Sequence, residues 1–386
     1  MLCADTALGQ ATRNRVIEGF GEEGVIPVRI LSSNADLQSL ARRAFSLHGG
    51  YEVTAAGESF VFRFEPAAAN SVRATISSGG RELEAQTISG SDPEDALLRA
   101  GDYAVRRTSG EPGFFAGKLA FVSQRTGHRE LYVATPLFTG IQQLTREQSN
   151  CILPAWAPNG TKLLYTGYHE SGFPDIFEID LATRRRAVFA AYKGTNTGAT
   201  YSPDGRQVAM ILSNQGNAEL YVTPANRTSQ PRRLTNNGAV ESGPSFSPDG
   251  EWIAVTSDRL GGPQIFKIPT RGGALQLVRT QLSGYCAEPD WNPREPGKLI
   301  FTAAVRGSYQ LAMHDATTGK SIFLTSGNAE AAEPVWLNDG RHVVYTRRLP
   351  GERGELYLFD TVSGKTVRLS PEGFGGAAQA DFDYAP

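Results

Sequence analysis

An aromatic residue that recurs every 45 positions is the feature of this sequence that most constrains its fold. The recurring residues are Trp156, Tyr201, Phe246, Trp291 and Trp336, and a sixth, Phe382, follows after one additional residue. A fixed period of this length is typical of repeat folds, in which each unit is one supersecondary structure packed on its neighbours. The chain from about residue 118 onward is therefore expected to be a repeat domain.

Each repeat carries the signals of four short strands. The aromatic residue precedes a tight turn, as in Ser202-Pro-Asp-Gly205 and Ser247-Pro-Asp-Gly250, where proline and glycine favour a chain reversal. A β-branched and apolar run such as Trp252–Thr256 follows, then a glycine-containing bend and a third run such as Glu219–Val222. A fourth short strand ends at Leu-Thr or its equivalent. Four short strands in about 45 residues indicate a propeller blade.

The two ends of the repeat region predict how the ring closes. The unit that begins at Lys118 lacks the strand that carries the periodic aromatic, whereas residues from about Gln379 to Tyr384 supply such a strand with no blade behind it. Pairing these fragments would complete the ring and leave no open sheet edge at the junction. The sequence therefore predicts a six-bladed β-propeller in which the C-terminal strand closes the first blade.

The residues before the propeller predict a small α+β domain. Strands are expected at 24–30, 59–65, 72–77 and 83–89, and helices at 34–47 and from Asp92-Pro93 to about Arg107. The predicted organisation is a flexible N-terminal tail over 1–23, the α+β domain over 24–113 and the propeller over 114–386.

Composition restricts the classes of partner. The 38 basic and 40 acidic residues leave a net charge of -2 with no strongly basic stretch, which argues against nucleic acid. Apolar runs are strand-length, so we expect no membrane-spanning segment. Residues 1–11 lack the basic and apolar regions of an intact signal peptide but end in Gly9-Gln10-Ala11, which resembles a cleavage site. Residues 1–11 are either the remaining part of a signal peptide or an ordinary disordered N-terminus.

The Ser-Pro-Asp-Gly turns, the segment Thr256–Phe266 and Arg233-Leu-Thr235 resemble the repeat of the TolB family, the propeller component of the Tol-Pal system. Gly24-Val-Ile-Pro27 and Gly113–Val122 are similar to the start and the domain junction of that family, so the resemblance covers roughly 14–386. It implies a periplasmic protein that binds the peptidoglycan-associated lipoprotein Pal at the central opening of the propeller and the inner-membrane protein TolA through its tail. The implied role is in outer-membrane integrity and cell division.

The resemblance also implies which residues contact these partners. The tail residues are Val16, Ile17 and Glu18. The Pal-contacting residues precede the periodic aromatics and are Asn150, Thr195, Asn196, Glu241, Ser242, Glu288, Glu333 and Gln379. The contacting histidine of the family is absent, and Thr195 stands in its place. We further expect a monomer.

Catalysis is not expected from these residues. No Gly-x-Ser-x-Gly sequence is present, and the five histidines occupy unrelated positions of the repeat. The alternative is a metal-dependent enzyme of the lactonase or lyase type that uses the central channel. No cofactor is predicted, although Glu241, Glu288 and Glu333 occupy corresponding loops and acidic groups around a channel can hold Ca²⁺. The competing interpretation is that they are solvated loop charges.

Overall fold

The computed structural model describes residues 24–168 and 172–384, and the chain divides into two compact units. Of the described residues, the first comprises 24–42 and Gly50–Gly113, and the second comprises Arg43–Gly49, 114–168 and 172–384. The predicted α+β domain included Arg43–Gly49. This segment belongs to the second unit because its aromatic rings pack there: Phe45 lies 5.2 Å from Phe115 and His48 lies 5.6 Å from Phe114 between ring centroids. The predicted tail and the signal-like residues 1–11 lie outside the described residues.

The first unit contains one mixed sheet, one complete helix and the beginning of another helix, whose residues from Arg43 onward belong to the second unit. The elements in chain order are β1 (Ile26–Leu31), α1 (Ala35–Leu47), β2 (Tyr51–Val53), β3 (Phe60–Ala68), β4 (Ser71–Ser78), β5 (Arg81–Ser89) and α2 (Pro93–Ser109). The sheet order is β2-β1-β3-β4-β5, with β1 parallel to both of its neighbours. Helix α2 begins where the Asp92 side chain accepts from the Asp95 amide and ends at the left-handed Gly110.

The second unit consists of six four-stranded antiparallel sheets, as the sequence predicted. The strands are β6 (Lys118–Ser123), β7 (Glu130–Ala134), β8 (Gln142–Gln143), β9 (Cys151–Trp156), β10 (Lys162–Gly167), β11 (Asp175–Asp180), β12 (Arg186–Ala190), β13 (Asn196–Tyr201), β14 (Gln207–Leu212), β15 (Glu219–Pro224), β16 (Arg232–Arg233), β17 (Glu241–Phe246), β18 (Trp252–Ser257), β19 (Gln264–Pro269), β20 (Gln276–Leu277), β21 (Cys286–Trp291), β22 (Lys298–Val305), β23 (Ser308–Asp315), β24 (Lys320–Phe323), β25 (Glu330–Trp336), β26 (His342–Arg348), β27 (Glu355–Asp360), β28 (Thr366–Arg368) and β29 (Ala378–Asp383).

The ring closes through the C-terminal strand. Blade I has the order β29-β6-β7-β8, and the register pairs Phe382 with Leu119 and Asp381 with Ala120. Blades II to VI follow in chain order with four consecutive strands each. One edge strand of each blade contacts the corresponding strand of both neighbouring blades; these strands are β29, β9, β13, β17, β21 and β25. We label this strand A and the following strands of the same sheet B, C and D. The predicted closure is confirmed.

Two periodicities of the sequence have a packing cause. Trp156 is 6% exposed and packs with Ala120 of blade I as well as with Tyr165 of its own blade, so the periodic aromatic fills the gap between blades. In four blades the periodic Thr or Ser that follows the D strand accepts the amide of a residue in the C strand. These bonds join Thr145 to Leu131, Thr235 to Leu220, Thr325 to Leu311 and Ser370 to Leu356.

The antiparallel order of the strands gives the propeller two distinct faces. Each A strand begins at one end of the ring, and the B strand returns to that end. The loops from B to C and from each D strand to the next A strand therefore share one face, which we call the mouth face. The turns from A to B and from C to D lie on the opposite face. The aspartates Asp204 and Asp249 of those A–B turns accept backbone amides.

Candidate functional site

A β-bulge recurs near the start of all six A strands, at the edge of the central channel. Its central residues are Leu153, Gly198, Gly243, Glu288, Glu333 and Gln379, with φ between 52° and 60°. The strand register shifts beside each of them. Four of the six are not glycine, and such left-handed residues cost on the order of 1 kcal/mol each and are often found at functional sites. The bulge turns the backbone and side chain of these residues toward the mouth.

The bulge residues of adjacent blades are joined in a hydrogen-bond chain, which we call the mouth chain. The Leu153 amide donates to Gln379 Oε1 at 3.3 Å, and the Gln379 amide and Nε2 donate to the Glu333 carboxylate at 3.2 and 3.1 Å. The Glu333 amide donates to Glu288 Oε2 at 2.9 Å, and the Thr302 hydroxyl donates to the same oxygen at 2.7 Å. The mouth chain therefore spans blades V, VI, I and II. It ends at blades III and IV, where Gly198 and Gly243 carry no side chain.

Carboxylates line the channel below the mouth chain. The walls of the channel desolvate Glu288, and together with the neighbouring Glu333 carboxylate this raises the Glu288 pKa. Deeper along the A strands, Asp290 accepts the Trp336 amide at 2.8 Å and Asp381 accepts the Trp156 amide at 2.6 Å. Burial raises their pKa values to about 6 for Asp290 and about 7 for Asp381, which also lies near Asp290. Both aspartates link one blade to the next.

Two of the predicted contact residues are buried inside the blades. The Asn196 side chain is 0% exposed and donates to Asp175 and to the Tyr192 carbonyl, while Glu241 is 1% exposed. The grouping of Glu241 with Glu288 and Glu333 was wrong, because the residue of blade IV that corresponds to them is Gly243. The error was one of register, because the 45-residue period aligns Glu241 with Cys286, the first residues of β17 and β21, and aligns Gly243 with Glu288.

Glu241 instead belongs to a buried pair of carboxylates. Its oxygens accept from Ser257 and Asn237 at 2.9 and 3.0 Å, and the Glu219 carboxylate lies in the same network of hydrogen bonds. Burial raises the pKa of Glu241 to about 7, and the neighbouring Glu219 adds to the rise. This network fastens the start of β17 to blade III.

The remaining predicted mouth residues reach the mouth face with their side chains wholly or partly accessible. Asn150 and Ser242 are exposed, and Thr195 is half-buried with its amide donating to Ser213 Oγ at 2.7 Å. The structure thus brings Glu288, Glu333 and Gln379 together in the mouth chain. Val16, Ile17 and Glu18 lie outside the described residues.

A buried group of two histidines and an aspartate is the candidate for a metal site within residues 24–168 and 172–384. The possible ligand atoms of His48, Asp339 and His342 lie within 4.8 Å of one another. Both ring nitrogens of His342 are already engaged: Nδ1 lies 2.6 Å from Asp339 Oδ2, and Nε2 accepts the Gly49 amide at 3.2 Å. Burial and the neighbouring His342 lower the His48 pKa, and the positive charges of Arg341 and Lys365 lower it further. Surroundings that disfavour a positive charge in this way do not suit a metal cation. We interpret the group as a clasp for the segment Arg43–Gly49.

Exposed apolar side chains concentrate on the mouth face. Among the described residues of the propeller, the large hydrophobic residues exposed there are Leu153, Phe173, Val240, Leu260, Tyr309 and Leu349. Phe173 and Leu260 are 66% and 62% exposed. On the opposite face, Val362 is exposed in a C–D turn. The remaining exposed large hydrophobic residues of the described propeller, Val188, Leu277 and Ile322, lie on outer D strands. Sequence analysis missed this set because its members come from loops of different length that share no repeat position.

Comparison with known proteins decides the family. The family model described as the TolB beta propeller domain matches residues 105–377. The chain belongs to the TolB β-propeller family. Tol-Pal system protein TolB of Bordetella avium (strain 197N) is 32% identical over 163 residues, which are 42% of this chain and 37% of that protein. Tol-Pal system protein TolB of Desulfosudis oleivorans is 32% identical over 148 residues, 38% of this chain and 33% of that protein.

The TolB fold extends over nearly the whole chain. The crystal structure of TolB from Acinetobacter baumannii superposes with a TM-score of 0.83 and 22% identity, covering 94% of this chain and 98% of that one. The chain spans about a third of the length of the two curated TolB relatives in its sequence matches. Within residues 24–168 and 172–384, no helix is both long and apolar enough to cross a membrane.

Proposed function

We propose that this chain is a non-enzymatic periplasmic adaptor of the Tol-Pal system. Its mouth face binds a Pal-like outer-membrane lipoprotein, and its N-terminal tail around Val16, Ile17 and Glu18 binds a TolA-like inner-membrane protein. Through these two contacts it supports outer-membrane integrity and cell division. The relatives named Tol-Pal system protein TolB support this assignment.

The observation that carries the proposal is the asymmetry between the two faces of the propeller. The mouth face combines exposed apolar side chains with the strained bulge residues at the channel edge. Exposed apolar groups surrounded by polar ones are typical of protein-binding surfaces, and backbone strain often accompanies binding sites. A protein partner that covers this face would bury the side chains of Phe173, Val240, Leu260, Tyr309 and Leu349.

Binding of the soluble domain of the Pal-like lipoprotein from the same genome tests the mouth face. The full chain is titrated by calorimetry, and Leu260→Asp is expected to weaken binding at least tenfold because it places a charge in an apolar contact. Val362→Asp is the matched control on the opposite face and should bind like the wild type. Absence of wild-type binding would contradict the proposed partner, and equal weakening by both variants would contradict the proposed surface.

The tail is tested separately by removing residues 1–23. The truncated chain should keep its affinity for the Pal-like domain and lose binding to the periplasmic domain of the TolA-like protein. Cell fractionation of the protein expressed from its native locus tests the compartment. Recovery in the cytoplasm, or retention of TolA binding after truncation, would contradict these parts of the proposal.

A cation in the channel is a subordinate proposal. Glu288 and Glu333 are the two adjacent bulge carboxylates, and mutual repulsion contributes to the raised pKa of Glu288. Their oxygens would hold Ca²⁺, a cation that prefers oxygen ligands. Calorimetric titration with Ca²⁺ should give binding to the wild type that is lost in Glu288→Gln. A Ca²⁺ response that Glu288→Gln leaves unchanged would place the ion elsewhere, and no response would remove the proposal.

The metal-dependent enzyme is the competing function. A catalytic metal needs several ligands with an open position for substrate, whereas the deeper carboxylates of the channel, Asp290 and Asp381, are occupied by backbone amides. Incubation of the metal-loaded chain with a small ester and an unsaturated uronide distinguishes the two. Turnover that Glu288→Gln abolishes would overturn the adaptor as the sole function.

A further inference from the structure

A pocket of about 430 Å³ opens on the mouth face where blade VI meets blade I. Its walls include Arg129, Arg348, Arg353, Glu333 and Glu352, with the backbone of Gly376 between them. It adjoins the mouth chain through Glu333 and Gln379. The pocket therefore belongs to the surface that we propose for the Pal-like partner, and the inference below rests on that proposed function.

Most N–H donors of the pocket arginines are available to a ligand. Arg353 Nη1 donates to two neutral acceptors, the Gly375 carbonyl at 2.9 Å and the Gln124 carbonyl at 3.5 Å, and Arg353 forms no ion pair within the described part of the chain. Arg348 lies 3.3 Å from Glu330 with both side chains more than a third exposed, and such surface pairs are weak. The Arg129 side chain makes no hydrogen bond or ion pair with the chain over 24–168 and 172–384.

The loop between the D strand of blade VI and β29 holds Arg353 of the pocket and the nearby Arg125 in position. Arg125 lies over the ring of Phe374 at 4.5 Å, and the stem of Arg353 packs on Gly376, where an added Cβ would lie 3.1 Å from Arg353 Cβ. Gly375 and Gly376 have φ of 99° and 97°, a conformation that glycine adopts without steric cost. The guanidinium of Arg353 is therefore ordered before a ligand arrives, which lowers the entropy cost of binding.

The two carboxylates of the pocket do not cancel this charge. Glu333 is engaged by two donors of Gln379, and Glu352 lies exposed at the tip of the B–C loop of blade VI. The B–C loops of blades V, VI and I carry Arg306, Arg353, Arg125 and Arg129 against the single carboxylate of Glu352. These three B–C loops therefore carry a net positive charge.

We propose that the pocket receives a carboxylate of the Pal-like protein partner, with Arg353 and Arg129 as its ligands. A guanidinium presents parallel N–H donors that match the two oxygens of a carboxylate. The exposed apolar side chains provide the contact area on the rest of the face, and the arginine pair fixes the orientation of the partner. The carboxylate is either an Asp or Glu side chain or the C-terminus of the partner.

Calorimetry with the soluble domain of the Pal-like lipoprotein tests the pocket with variants of opposite sign. Arg353→Met keeps the stem on Gly376 and removes the charge, and Arg129→Met does the same on the other wall; each should weaken binding at least tenfold. Glu352→Gln removes a repulsive carboxylate and should strengthen binding about twofold or more. Arg271→Met, which removes an exposed arginine from the opposite face, is the matched control and should leave affinity unchanged.

The outcomes separate this inference from the function on which it rests. If the wild type does not bind the lipoprotein domain, the proposed function fails. If the wild type binds and Arg353→Met and Arg129→Met bind equally well with intact thermal unfolding, the pocket assignment fails while the adaptor stands. Weaker binding by Glu352→Gln would indicate a basic group in the pocket and overturn the proposal.

Changes in the partner identify the source of the carboxylate. An Asp→Asn or Glu→Gln change in the partner that weakens its binding to the wild-type chain, but not to the Arg353→Met variant, would identify that side chain as the source of the carboxylate. An extended C-terminus with the same effect locates the terminal carboxylate. If neither kind of change is coupled to Arg353, the proposed contact is overturned.

Discussion

At the scale of single residues, burial of a titratable side chain makes the stability of the second unit depend on pH. His48 illustrates the cost of a buried base. It is 2% exposed, its ring centroid lies 4.5 Å from that of His342, and burial, His342, Arg341 and Lys365 together hold its pKa well below the ordinary value.

Acidification is therefore expected to destabilise the second unit through His48. Because the folded-state pKa lies below the unfolded one, the contribution of His48 to stability is present above the unfolded pKa and is lost as the pH falls below it. Urea unfolding at pH 7 and at pH 5 measures this. His48→Gln should lose less stability over that range than the wild type, whereas His128→Gln, on an exposed loop, should follow the wild type. Parallel pH profiles for wild type and His48→Gln would contradict the clasp.

The periodic threonine provides a second prediction at this scale. Thr145 is 0% exposed, and its hydroxyl accepts the Leu131 amide at 2.8 Å while it donates to Glu130. Thr145→Val has the same shape but leaves the buried amide unpaired, so it should lower the free energy of unfolding by about 1–3 kcal/mol. Thr145→Ser keeps the hydroxyl and should cost less than Thr145→Val. Chemical unfolding that ranks the two variants in the opposite order would contradict this role.

At the scale of elements, the A-strand bulge organises the channel edge. It is present in all six blades, but its side chain is present in four, so the repeated backbone carries a local difference between the two sides of the mouth. Gln379 of the closing strand lies at the centre of the mouth chain, where it contacts Glu333 and the Leu153 amide.

Gln379→Ala is expected to lower the free energy of unfolding by about 1–2 kcal/mol, because it removes bonds to partly buried groups on both neighbouring blades. Ser242→Ala is the matched control, since it removes an exposed polar side chain beside the bare Gly243 and should change stability little. Both are measured by urea unfolding at pH 7. Equal stability of the two variants would show that the mouth chain does not support the ring closure.

At the scale of the whole molecule, the ring depends on one strand that arrives last in the chain. Strand β29 covers β6, whose residues Leu119, Ala120 and Phe121 are each 0% exposed. Without it, blade I would present an open edge and the channel would lose one wall. The integrity of the ring is therefore expected to depend on β29.

A chain that ends at Gly376 should therefore lose the cooperative unfolding transition of the second unit. A chain that ends at Tyr384 keeps β29 and should retain that transition. Calorimetric melting of both proteins, with near-ultraviolet circular dichroism as a check on side-chain packing, measures the effect. A truncated chain with the wild-type transition would contradict the closure.

The sequence by itself determined the architecture of the repeat region. The 45-residue period, the turn after each aromatic and the unmatched strands at the two ends specify six blades and their closure, because each unit repeats the same local chemistry. The short strand β2 was missed, since three residues carry too little periodicity to be recognised.

Only the tertiary structure decided the site. Glu241 and Glu288 both lie near the start of an A strand, yet Glu241 is buried in a blade and Glu288 lies in the mouth chain. Glu241 precedes the left-handed bulge of its strand, whereas Glu288 is the bulge residue itself, so the backbone geometry of the bulge separates their environments. Likewise, Arg353 and Arg129 meet in one pocket only because ring closure brings the last blade beside the first. Local sequence specifies each blade, and the contacts between blades specify the surface that a partner meets.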